Sequence, residues 1–404
     1  MRPRPAIVTL LGSLLVLSAC GVAGHPVAET PPSLSAAPPT ETAIGAPATF
    51  PAPKTTVKPT TTKKKPPPPV AAGSLPQAGN PSGHAAVPAE GKPVDTAHPT
   101  HVVGTGSAAS CTSSAFVNAV AEGGIITFSC GPAPVTIAVA TTAKVRNASS
   151  QVVIDGGDKV TLSGGGARRI LYMDTCDEAQ GFTTSHCDNQ STPHLTVQNM
   201  AFTEGNSTGQ EEEGGGGGAI LDRGGRLTVI NSRFTHNRCD STGPDLGGAA
   251  IRALSQYNGD AVYIVGSTFG GGSGLGGVCS NGGALSSIGV SWVVLNSLMT
   301  YNEAIGHGAN PASAGTPGGG SGGAIYTDGN TYTVRIAGTV IEHNHANEGG
   351  GAVFYVSNDK TGTMSIDSST LEHNPSDQFE TAGFPGIFFL GAHPPTVTSS
   401  TLEK

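Results

Sequence analysis

The chain has 404 residues, 59 of them Gly and 30 Pro, yet only 12 % are charged and 5 % aromatic. Gly stands at twice its usual share of about 7 %, and a single Trp argues against a conventional aromatic-centred core. No apolar run reaches the roughly 20 residues of a membrane-spanning helix, and 21 Lys+Arg against 29 Asp+Glu exclude a general nucleic-acid binder.

Arg2 and Arg4 precede an apolar stretch, Ala6–Leu17, and then Leu17-Ser18-Ala19-Cys20. A basic start, an apolar middle and small residues before a break form the export pattern. With Cys directly after the small residues, it resembles the bacterial lipoprotein box. The resemblance implies that residues 1–19 are removed and that Cys20 is lipidated and becomes the new N-terminus. Two acyl chains hold a protein stably at a membrane where one is marginal. The expectation is an extracytoplasmic, surface-exposed protein tethered by lipid to the bacterial cell membrane.

Residues 20–101 read as a linker. Positions 21–100 hold 18 Pro, many Thr and Ala, and the run Lys63-Lys64-Lys65-Pro66-Pro67-Pro68-Pro69. Such a composition cannot bury enough apolar surface to offset ordering entropy, so a disordered, partly polyproline-II spacer is expected. Past it the charge changes sign: 101–404 carry 13 Lys+Arg and 25 Asp+Glu, a net of 13 − 25 = −12. The folded domain is therefore placed at 102–404.

Setting Cys20 aside leaves six cysteines: Cys111, Cys130, Cys176, Cys187, Cys239 and Cys279. An even set in an exported chain reads as disulfides. Sequential pairing is the simplest of the 15 arrangements. The Cys-x-x-Cys spacing of a metal–thiolate site is absent.

One unit recurs from about residue 190 onward. It opens with Gly-Gly-Ala and an apolar residue: Gly217-Gly218-Ala219-Ile220, Gly282-Gly283-Ala284-Leu285, Gly322-Gly323-Ala324-Ile325 and Gly350-Gly351-Ala352-Val353, with Gly247-Gly248-Ala249-Ala250-Ile251 a looser copy. An alternating segment follows, then a large apolar anchor, often with Asn three positions later. The anchors are Phe202, Phe234, Phe269, Met299, Ile341, Leu371 and Leu402, at steps of 32, 35, 30, 42, 30 and 31 residues. Apolar residues alternate with period two and show no helical period. Gly, Asn and Ser mark the bends. This pattern predicts an all-β fold, a single-stranded right-handed parallel β-helix in which each coil touches only its neighbours. The anchors become an internal ladder, and the recurring Asn a second ladder at a turn.

Gly-Gly-Ala-Ile with Phe-x-x-Asn is similar to the repeats of chlamydial-type polymorphic outer membrane proteins, which are surface adhesins. The likeness covers 202–404, without the outer-membrane barrel of that family. Upstream, Phe116-Val117-Asn118-Ala119-Val120 fits a short amphipathic helix. Val152-Val153-Ile154-Asp155-Gly156-Gly157 follows it, an order that resembles the N-terminal cap and first coils of pectate-lyase-like β-helices.

That second resemblance directs attention to acidic-polysaccharide chemistry. Gly306-His307-Gly308 and Val334-Arg335-Ile336 resemble two motifs of polygalacturonase-type hydrolases, but Ser286 and Ser287 stand where the family's aspartates are needed. Glycosidic hydrolysis requires two flanking carboxyls. Asp174, Asp177, Glu178 and Asp188, beside Arg168 and Arg169, form an acidic loop that Cys176 and Cys187 could staple and that reads as a disulfide loop without a metal rather than a Ca²⁺ site, while Glu211-Glu212-Glu213 reads as a solvated loop. Stacking of coils aligns Glu204, His236, Tyr301, His343 and His373 in one column, with Glu342 and Glu372 beside it. Glu342, His343, Glu372 and His373 are the candidate catalytic or metal-ligating group, weighed against a plain polar turn column. Arg252, Tyr326 and Phe354 share another column, a candidate binding stripe if it faces outward. The expected function is adhesion, or binding of a glycan or partner protein, at the cell surface. The alternatives are a polysaccharide lyase or hydrolase on the same fold, or a structural envelope component. No cofactor or metal is expected, Ca²⁺ or Zn²⁺ entering only with the enzyme reading. The expected partners are the membrane, through the lipid, and polysaccharide or surface protein.

Overall fold

A computed structural model describes residues 73–210 and 214–404. The expected signal peptide, Cys20 and the greater part of the expected linker lie outside the described residues, as do Glu211–Glu213.

The domain is all-β apart from one α-helix and a few single turns of 3-10 helix. Its strands, two to five residues long, are laid out in three long parallel sheets of ten, nine and eight strands and a short sheet of three. The chain visits the sheets in turn: Arg226–Ile230 lies in the ten-stranded sheet, Arg233–Thr235 in the nine-stranded and Ile251–Ala253 in the eight-stranded. Each strand pairs in parallel with its counterpart one repeat earlier and one later, so Val197, Val229, Ile264, Val294, Ile336 and Ile366 share one register position. The architecture is solenoid-like, and the sequence repeat is one circuit of it.

Every part of the repeat motif has a physical task. In the four strict copies the first Gly takes a left-handed φ, 62° at Gly217 and 55° at Gly282, which side chains with a Cβ resist; in the looser copy it is Gly248, at 74°. A Cβ on the second Gly would strike the backbone of the next circuit, as at Gly218 against the Arg238 carbonyl, 2.5 Å away. Ala219, Ala284, Ala324 and Ala352 are fully buried behind them. The anchors stack as expected: Phe202, Phe234 and Phe269 pair in register with ring centroids 5.0 and 4.7 Å apart. Met299, Ile341 and Leu371 continue the column in the core.

The Asn ladder also forms. Asn344 Nδ2 donates to Asn374 Oδ1 at 2.9 Å and Asn302 Nδ2 to Asn344 Oδ1 at 2.8 Å, while the Oδ1 atoms accept backbone N–H groups of the preceding circuit. A third ladder went unread in the sequence. Ser232, Ser267, Ser297, Thr339, Ser369 and Ser400 stand two residues before successive anchors. Each of the last five accepts the backbone N–H of the preceding member at 3.0–3.2 Å, and all six hydroxyls donate to a carbonyl two residues back. These hydroxyls satisfy buried backbone groups that a bend would otherwise orphan.

At the N-terminal end, Ser113–Glu122 is helical and buries Phe116, Ala119 and Val120, an i, i+3, i+4 face. Thr112 caps its start by accepting the Ala115 N–H, and Gly123 ends it at φ 78°. Cysteines 111–130, 176–187 and 239–279 are bonded in sequential pairs.

Residues 73–100, assigned by composition to the linker, form a strap across the circuits. The Leu75 N–H donates to the Asp158 carbonyl; by Asn80 the chain has reached Asn296 and Gly338. It then returns, with Asn296 bonding both the N–H and the C=O of Ala85, and Gln198 bonding both of Val94. Ala85 and Val87 cover an apolar row on the outer face of the ten-stranded sheet: Ile230, Val265, Leu295 and Ala337. Burial of that row and the paired side-chain caps order a segment whose own composition carries little apolar surface. The ordered domain thus extends upstream of residue 102.

Candidate binding groove

Arg252, Tyr326 and Phe354 share one register column of the eight-stranded sheet, with Ser286 between them and Phe388 beyond. Their neighbours Ile251, Ile325 and Val353 point into the core, so the column faces away from it. Tyr326 stacks on Phe354 at 5.1 Å and Phe354 on Phe388 at 5.0 Å. Loops nevertheless seal the stripe: exposure is 3 % at Arg252, 0 % at Tyr326 and 3 % at Phe354. Asn310, in the long Gly-rich insertion, donates to the Tyr326 hydroxyl at 2.7 Å. A macromolecule does not reach this column.

The Glu–His column lies on a turn. His236, Tyr301, His343 and His373 all take a left-handed φ of 53–58°, and His343 and His373 project into solvent. Tyr301, His343 and His373 stack ring on ring at 5.1 Å, with Glu342 opposite Glu372 in the neighbouring strands. His345 turns instead to Asp377 at 3.0 Å, and Glu348 accepts the Gly308 N–H at 2.6 Å, holding the insertion in place. Among the described residues no three His, Cys, Asp or Glu side chains are grouped to hold a metal ion.

The two hydrolase-like motifs fall on different elements. His307 belongs to a hairpin that pairs with Gly318, while Arg335 lies exposed on the ten-stranded sheet. In the acidic loop, Asp174 meets Arg223 at 3.3 Å and burial raises its pKa. Arg169 turns away to the carbonyls of Gly216 and Gly217, and Arg168 to that of Val139.

An open site lies where no motif or repeat position points. Beside the returning strap, the outer face of the ten-stranded sheet leaves a groove of about 520 Å³, lined by Glu90, Lys92, His194, Arg226, Asp260 and Tyr263 among others. Parallel register places His194 beside Arg226 and aligns Thr196, Thr228 and Tyr263 in the next outward column. Arg226 is the hub: its Nε meets Asp260 Oδ2 at 2.7 Å, its Nη1 donates to the Ser191 carbonyl and contacts His194 Nε2, and its guanidinium lies 4.6 Å over the Tyr257 ring. Burial, with Arg226 adding to it, lowers the His194 pKa, so this imidazole is neutral at pH 7. Burial also raises the Tyr263 pKa, aided by Glu90 and Asp260, and keeps it a phenol. The groove therefore offers an aromatic face, hydroxyls and a fixed set of donors and acceptors. These suit a polyhydroxylated ligand. Apart from Thr196 and Thr228, which share a register position in adjacent circuits, these lining residues do not recur from repeat to repeat, which is why periodicity did not single them out.

Comparison of this chain with protein-family models, curated proteins and solved structures finds no match.

Proposed function

We propose that this is a cell-surface lipoprotein displaying a right-handed, pectate-lyase-like parallel β-helix, and that it binds an extended glycan in the strap-walled groove. The observation that carries the reading is the groove's composition: Tyr263, the Thr196–Thr228 hydroxyl column and the Arg226–Asp260 pair in one open channel. Side chains there repeat at the strand spacing of about 4.8 Å, close to the rise of one sugar in an extended, equatorially linked chain. A polymer lying across the strands thus meets one row of contacts per sugar. Asp260 is committed to Arg226 at 2.7 Å, an arrangement that orients a ligand and leaves no free acid–base pair of carboxylates, so binding is favoured over hydrolysis. The tether reading rests on the Leu17-Ser18-Ala19-Cys20 sequence.

The test uses cells producing the full chain and its Cys20→Ala and Tyr263→Ala variants. Wild type should fractionate with membranes and retain soluble envelope polysaccharides in affinity electrophoresis. Cys20→Ala should move to the medium and still bind. Tyr263→Ala should stay at the membrane and bind at least tenfold more weakly. Retention of no glycan by wild type, or full retention by Tyr263→Ala, overturns the groove reading; a membrane-bound Cys20→Ala overturns the tether.

A further inference from the structure

Arg252 is a buried cation without a counter-ion among the described residues. Its residue is 3 % exposed, and its guanidinium Nη1 donates to Ser286 Oγ at 2.8 Å, the one hydrogen bond it makes among the described residues. Nε is buried with no partner. No carboxylate lies within ion-pair distance of it among the described residues. Asp245 is close enough to favour its charge but is itself bonded to Asn310. Burial lowers the Arg252 pKa, to about 10, which leaves it charged at neutral pH. Removing a charge from water without a partner costs several kcal/mol, and folded proteins meet that cost with an opposite charge.

Its immediate neighbours are small. Ser286 is the small residue in a column otherwise filled by Tyr326, Phe354 and Phe388, and it opens the space that Arg252 enters. Gly216 packs against the Gly247 carbonyl and the Arg252 side chain, whose Cδ is 2.7 Å from the position a Cβ would occupy, so a larger residue there would meet both. With Nη1 committed to Ser286, the Nε–Nη2 edge remains, the planar fork that grips two oxygens of one anion at once.

The geometry points to an oxyanion-binding site at Arg252, beneath the loops over the eight-stranded sheet, which takes a single carboxylate or phosphoryl group on the Nε–Nη2 edge with Ser286 beside it. The site is on a different sheet from the groove and stands independently of the glycan reading.

The test is thermal unfolding of the full chain with chloride replaced by phosphate, sulfate or acetate at constant ionic strength. Anything that binds only the folded state raises the midpoint by mass action. The midpoint should rise with phosphate or acetate concentration, the stronger of the two telling a phosphoryl from a carboxylate site. Arg252→Met, which keeps the length of the side chain and removes the fork, should lose that dependence. Should Arg252→Met fail to fold, crystals of wild type soaked in selenate decide: a selenium anomalous peak about 3.5–4 Å from Arg252 Nε, which puts a selenate oxygen at hydrogen-bond distance, is expected. A wild-type midpoint indifferent to all three anions, an equal rise in Arg252→Met, or no selenium at Arg252 overturns the proposal.

Discussion

Phe234→Ala tests the anchor ladder most directly. Its ring is 1 % exposed and lies between Phe202 and Phe269, with centroids 5.0 and 4.7 Å away and planes 4° from parallel. Truncating a buried Phe costs about 3–5 kcal/mol, transfer and cavity together. Two facts place this site at the upper end. Both stacked contacts, worth about 0.5–1.5 kcal/mol each, are lost at once. The circuits above and below are also held at strand spacing by backbone hydrogen bonds, so the walls cannot collapse into the void. A suitable control is Gly272→Ala, where the new Cβ meets only Leu275 Cδ1 at 3.4 Å and the backbone is not left-handed; a surface change of this kind stays within about 0.5 kcal/mol. Gly308, in the insertion, looks equally harmless from sequence but is not: its φ is 101° and a Cβ there would collide with Thr316. Denaturant unfolding of the full chain should therefore separate Phe234→Ala from Gly272→Ala by about 4 kcal/mol. A difference under 1 kcal/mol would show that the ladder is not the core.

Two further outcomes follow from the hydrogen-bond pattern. Asn296→Gly keeps the left-handed backbone that Gly266 and Gly338 adopt at equivalent turns, but removes both bonds to Ala85. At about 1 kcal/mol per bond, or about 30-fold in the opening equilibrium for the two, limited proteolysis within 80–90 should accelerate by about tenfold or more while the rest of the domain stays resistant; an unchanged cleavage rate would mean that the strap is held by its apolar contacts alone. Asp222 is fully buried, and burial raises its pKa well above the ordinary carboxylate range, with Asp174 adding to the rise against the Gln256 hydrogen bond. The folded state thus retains a proton that the unfolded chain releases above about pH 4, so this carboxyl's contribution falls as pH climbs from there. Asp222→Asn should match wild type near pH 4 and exceed it in denaturation midpoint at pH 7; a variant weaker by the same margin at both pH values would refute a protonated Asp222.

What the sequence revealed is what repeats. Anchors thirty-odd residues apart, Asn three positions on and Gly-Gly-Ala at each entry are visible because every circuit must solve the same bend and the same close approach. The Ser/Thr ladder was equally periodic, two positions before every anchor from Phe234 onward, but a hydroxyl is common enough in a Ser- and Thr-rich chain to pass as loop. Exposure was harder to read. The column of Arg252, Tyr326 and Phe354 was found, yet its burial depends on the 42-residue step between Met299 and Ile341, whose extra length folds back so that Asn310 reaches Tyr326. Repeat arithmetic measures that extra length and does not say where it goes.

The strap shows the same limit from the other side, and it also explains where the groove lies. The outer face of the ten-stranded sheet carries three columns. One is apolar over four circuits, Ile230, Val265, Leu295 and Ala337, and would expose a hydrophobic row if left bare. The other two carry His194 and Arg226, and Thr196, Thr228 and Tyr263. Residues 80–94 need only a few small apolar side chains, Ala85 and Val87, to cover the first column, because Asn296 and Gln198 satisfy their backbone. A Pro- and Ala-rich segment is able to do this while scoring as linker by composition. Once it lies there it stops at the polar columns, where water competes successfully for the sheet's side chains. The edge of the strap becomes the wall of the groove. The division of one sheet face into an apolar and a polar part thus sets both the course of the strap and the position of the groove, and neither is encoded in the repeat itself.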